Sequence, residues 1–141
     1  MKPKKKGAPS SKTGLQPWAV FSLRLSIALL ALYHGFPKLI NWPYATTLFQ
    51  SIGLPGFIGP IIGGIEVFAG LALIFGLYHL IASIALGLIS LLTLALIEWP
   101  RLWSEGQLMS VGIEKHILVI SIVFFLITSG PGKIVASLKK T

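Results

Sequence analysis

The chain has 141 residues, 54% of them hydrophobic and only 11% charged, and a mean hydropathy of +0.82, which excludes an ordinary soluble domain and fits one small membrane domain. Twelve basic residues face four acids, but five lysines (Lys2, Lys4, Lys5, Lys6 and Lys12) lie in the first twelve positions beside an apolar segment. This charge points to anionic membrane lipids as partners and not to nucleic acid. The absence of cysteine excludes disulfides, cysteine-ligated iron–sulfur clusters and thiol catalysis within this chain.

Residues 1–16 are rich in Lys, Pro, Ser and Gly and are expected to form a disordered basic arm. The first span is expected at 18–36, an apolar run interrupted only by Arg24 and His34, with Pro37 ending or kinking it. A signal peptide fits poorly, since no small-x-small cleavage site follows and Arg24 breaks the apolar run. Residues 38–56, with Trp42, Pro43, Tyr44 and Pro55, read as an interfacial loop containing part of a short surface helix.

A second span is expected at 57–77 and a third at 80–97. The tight turn at Gly76 and His79 makes them antiparallel neighbours. A polar loop at 98–112 holds Trp99, Arg101, Trp103 and Glu105, a fourth span covers 113–128, and SGPGK stops it before a basic tail at 131–141. The fold class read from this is all-α, an integral membrane four-helix bundle over 17–130. Lysine and arginine concentrate on the arm and tail, so both termini are expected in the cytoplasm.

Function is sought among ionisable groups placed where each costs about 2.5–3.5 kcal/mol to insert. Arg24, Ala28, Ala31, Gly35 and Lys38 recur at helical spacing with His34 beside them, and Gly59, Gly63, Glu66 and Gly70 make a matching stripe on the second span. Counting depth from opposite sides predicts an Arg24–Glu66 ion pair, either a register lock between the two helices or part of a functional site.

A second group, His34, Lys38, Glu98, Glu114, Lys115 and His116, is expected at one depth near the outer surface, with Trp42, Tyr44, Trp99 and Trp103 around it. Acid, base and aromatic walls at the interface are what a quinone headgroup requires, with Glu66 and His34 the candidate proton-handling groups. The competing reading leaves Glu98, Glu114, Lys115 and His116 merely solvated at the water boundary. A haem between His34 and His116 is a minor alternative, as is a metal held by His34, Glu114 and His116; no resident metal is expected. There is no phosphate-cradling loop and no nucleophile elbow.

Arg24 with YHGFPKL at 33–39, SIGLPG before the second span, GGIEVFAGLALIFGL at 63–77 and SGPGK at 129–133 together resemble the DoxX and DoxD family of small four-helix membrane proteins. Arg24, His34, Gly35, Lys38, Glu66, Gly70 and Gly130 to Gly132 fall where the family places similar residues. The resemblance implies a subunit in a prokaryotic cytoplasmic membrane, associated with a quinone-linked oxidoreductase or respiratory complex and partnered by redox subunits or by copies of itself. The catalytic partner would be another chain. A structural subunit without its own chemistry and, further off, a small-solute transporter are the rival expectations.

Overall fold

The computed structural model describes residues 16–105 and 111–132; the basic arm and most of the basic tail lie outside the described residues. Among those described, every regular element is helical: α1 (Gln16–Ile40), α2 (Trp42–Ser51), α3 (Ile58–Phe75), α4 (His79–Thr93), a π-helical turn (Leu94–Glu98), α5 (Trp99–Glu105) and α6 (Val111–Ser129). Four helical stretches are long and apolar enough to cross a bilayer: Pro17–Ile40, Ile58–Phe75, His79–Ser104 and Gly112–Ser129. Large apolar side chains such as Leu29, Phe68, Leu88 and Phe124 point outward. Lipid accepts such a surface and water does not. The chain is an integral membrane four-helix bundle.

The helix boundaries differ from the sequence reading in two places, at Pro37 and after Ile97. Helix α1 does not stop before Pro37 but runs through it to Ile40. Asn41 then accepts from the Tyr44 amide at 3.1 Å and opens α2. The turn between α3 and α4 is tight: Gly76 takes a left-handed conformation, φ 71°, and the Leu77 amide reaches back to the Ala72 carbonyl at 2.9 Å. The expected polar loop from 98 is helical instead as far as Glu105, because the third span passes through the π turn directly into α5.

Helices α1 and α3 form the closest pair, and glycine explains how. A Cβ on Gly35 would lie 2.8 Å from the Gly63 carbonyl and 2.9 Å from the Glu66 Cβ, and one on Gly70 would lie 3.0 Å from the Ala28 carbonyl. The backbones therefore touch, as small-residue stripes permit. Short helix α2 is seated on α3 through fully buried Ala45, whose carbonyl would be 2.6 Å from a Cβ at Gly59. Helices α4 and α6 form the second pair, α3 and α4 join the halves, and α1 meets α6 lightly. A core of Ile27, Ala28, Ala31, Ala69, Leu73, Ala82, Leu86 and Val123 fills the centre.

Candidate functional site

Between the α1–α3 and α4–α6 pairs, at the end of the bundle away from the termini, lies a cavity of about 520 Å³, within the range of small-molecule sites. Its deepest walls are apolar, with Ile27, Leu86 and Val119, and nearer the mouth Ile62 and Ile89 stand among His34, Lys38, Tyr44, Glu66, Ser90, Glu98, Arg101, Lys115 and His116. Helix α2 covers it with Tyr44, Leu48 and Phe49.

Glu66 is buried on α3, and its Oε2 lies 2.5 Å from the Lys38 Nζ. The expected Arg24–Glu66 pair does not form. Gly35 packs on Gly63 and Glu66, and Ala28 packs on Gly70; in this antiparallel register Arg24 falls past Gly70 and faces Ile74. Arg24, 1% exposed, donates to the Ile74 carbonyl at 3.3 Å and to the Pro131 carbonyl, with the Phe21 ring under its guanidinium at 5.7 Å. It fastens the C-terminal end of α3 and the SGPG stop to α1, at the opposite end from the cavity.

The rest of the wall comes from the second helix pair. The Lys115 Nζ lies 3.5 Å from the His34 Nε2, and the Tyr33 ring stands edge-on to the His34 ring at 5.3 Å. His116 is buried, its Nδ1 is 2.8 Å from the Ser90 Oγ, and its Nε2 has no hydrogen-bond partner. The π turn brings Glu98 inward, where the carboxylate rests against Gly112; a Cβ there would collide with it. Arg101, one helical turn on, stands 3.9 Å from Glu98. Single π turns often mark functional positions.

Of the residues singled out from sequence, His34, Lys38, Glu66, Glu98, Lys115 and His116 thus share one cavity. Glu114 and Trp42 do not line it: both are exposed at the surface, as are Trp99 and Trp103. Without Glu114 the proposed three-ligand metal set does not assemble, and no group of three metal-ligating side chains occurs among the described residues. Sequence reasoning missed Ser90. The available signal was a serine stripe, Ser83, Gly87 and Ser90, at helical spacing in an otherwise apolar helix.

The family model for DoxX matches residues 19–99, more than half of the chain. The chain belongs to the DoxX family. No curated protein and no solved structure matches it. The matched region of this DoxX protein carries three walls of the cavity, with His34, Lys38, Glu66, Ser90 and Glu98. The fourth wall, Lys115 and His116 on α6, lies beyond the match. What the DoxX bundle offers chemically is an amphiphilic slot: an apolar floor, hydrogen-bonding groups of both kinds at the rim and a carboxylate–ammonium pair at the seam.

Proposed function

We propose that this DoxX protein is the membrane subunit of a quinone-linked oxidoreductase or respiratory complex, and that its cavity holds the quinone headgroup. The observation that carries the reading is one cavity in which Lys38–Glu66, His34 with Lys115, and a buried His116 nitrogen without a partner converge above an apolar floor. These residues fit the headgroup: quinone carbonyls accept from ammonium and imidazole N–H, the ring needs apolar walls, and about 520 Å³ admits it. A bound quinone would accept two electrons from a donor in another subunit and two protons from the cavity rim. Lys38 and Lys115 hold positive charge beside the oxygens, Glu66 and His34 carry protons between the rim and the headgroup, and α2 excludes water.

We place the cavity end of the bundle on the outer side and both termini in the cytoplasm of a prokaryotic cell, supported by the concentration of lysine in the sequence before α1 and after α6. Purification from native membranes in mild detergent tests the function: co-eluting redox subunits and about one extracted quinone per chain are expected. A cofactor-free protein eluting alone contradicts it.

A structural subunit is the second reading, favoured by the Lys38–Glu66 pair itself. It bridges the two helices in tightest contact and could serve as a register lock alone. On that reading, loss of the pair weakens assembly and leaves any quinone content of the complex unchanged.

A further inference from the structure

The proposed quinone site uses the unpartnered His116 nitrogen but leaves open whether it carries a proton, and the contact of His116 with Ser90 specifies the ligand more closely. Several helix serines and threonines turn their hydroxyls back to a carbonyl four residues earlier, Ser26 to Ser22, Thr47 to Pro43, Thr93 to Ile89 and Ser121 to Ile117, whereas the buried Ser83 hydroxyl has no partner among the described residues. Ser90 departs from this habit. Among the described residues its hydroxyl makes one hydrogen bond, to the His116 Nδ1 at 2.8 Å.

A hydroxyl whose one partner is a ring nitrogen can donate to it or accept from it, and the tautomer decides which. With the Ser90 O–H donating, Nδ1 accepts and the neutral imidazole carries its hydrogen on Nε2. That Nε2 is buried without a partner, the residue is only 8% exposed, and it lines the cavity. Helix α6 cannot withdraw the ring easily, since Gly87, one turn before Ser90, is filled by Val123 at a would-be Cβ distance of 3.0 Å. A desolvated N–H in the wall of such a cavity is a donor lacking an acceptor.

We propose that Ser90 and His116 form a tautomer-fixed donor, and that the cavity selects ligands with a carbonyl oxygen seated against the His116 Nε2–H. Ser90 is the positioning residue: without its hydroxyl both tautomers become accessible, and in one of them Nε2 presents a lone pair that repels the oxygen. The inference rests on the proposed function for the identity of the ligand, but not for the state of the imidazole. It also assigns the wall outside the family match the task of reading the headgroup.

Nitrogen NMR of ¹⁵N-histidine-labelled protein in detergent tests both parts, with only His34, His79 and His116 to assign. The ligand-free protein should show His116 with Nε2 protonated and Nδ1 bare, and Ser90→Ala should give a tautomer mixture in a folded protein. Titration with a short-chain benzoquinone should move the Nε2 signal, whereas its dimethoxybenzene counterpart, which lacks the carbonyls, should not. His116→Phe should weaken quinone binding about tenfold, and His116→Gln, which keeps an N–H, should weaken it less.

A proton found on Nδ1, or an Nε2 signal that responds to Glu98→Gln but not to the quinone, overturns the inference. So does unchanged quinone affinity in His116→Phe. If the wild type takes up no quinone at all, the proposed function fails, and with it the assignment of the ligand; a fixed Nε2–H tautomer would then be a property of the fold alone.

Discussion

Helix α1 carries two basic side chains into the bundle, Arg24 toward the end where α1 begins and α6 stops, and Lys38 toward the other. Arg24 meets backbone: the carbonyls of Ile74 and Pro131 take its protons, close packing surrounds it, and the C-terminal stop is tied down as a result. Lys38 meets a carboxylate beside open volume, with His34, Lys115 and His116 around the same space. A buried charge in a membrane helix is therefore not in itself a functional signal. What distinguishes the two is whether its neighbours satisfy it within closed packing or leave room for a further molecule.

The largest expected effect comes from Glu66→Leu. It leaves the Lys38 ammonium buried without its partner and should cost about 3–5 kcal/mol, read as a lowered thermal midpoint in detergent. Glu66→Gln keeps an oxygen for Lys38, so the bundle should remain assembled while quinone-dependent turnover of the complex is lost. Arg24→Met sharpens the contrast from the other end: stability should fall by about 2–3 kcal/mol as the hydrogen bonds to carbonyls disappear, with quinone affinity unchanged. Weakened affinity in a folded Arg24→Met protein would show that the two ends act together.

Gly63→Val probes the seam between the ends, since its Cβ would lie 2.6 Å from the Lys38 Cβ and 3.0 Å from the Gly35 carbonyl. Forcing α1 and α3 apart should cost about 1–3 kcal/mol and lower quinone affinity, because Lys38 moves with the helix. The smallest effect is expected at Gly130, where φ is +76° and nothing lies within 4 Å of a would-be Cβ. Gly130→Ala should cost about 1 kcal/mol through backbone strain alone and leave the cavity untouched.

The four spans were legible because apolar runs of the required length are physically conspicuous, and the stripe of Gly59, Gly63, Glu66 and Gly70 announced its own contact with α1. The partner of Glu66 was not legible. Depth counted along single helices omits the offset between them, and that offset is set by where Gly35 docks on Gly63 and where Ala28 docks on Gly70. Arg24 and Lys38 lie on the same face of α1, so periodicity alone does not choose between them. The extension of the third span into α5 was hidden because Trp99, Pro100 and Arg101 resemble a loop in composition, and a π turn has no simple sequence signature. Ser90 was overlooked as a small residue of the packing face. Only the placement of His116 opposite it, 2.8 Å from the hydroxyl, shows its use.

Lys38 and Glu66 either belong to a quinone site, as proposed, or only lock the two helices together. Replacing both together, Lys38→Met with Glu66→Leu, removes the pair without leaving a buried charge and should leave stability about unchanged or slightly higher. The decisive measurement is the quinone content of this double variant and of the wild type, each purified under identical mild-detergent conditions and checked for equal thermal stability. The account predicts about one quinone per wild-type chain and close to none in the equally stable variant. Equal quinone in both proteins would contradict it and leave the pair as a structural fastening.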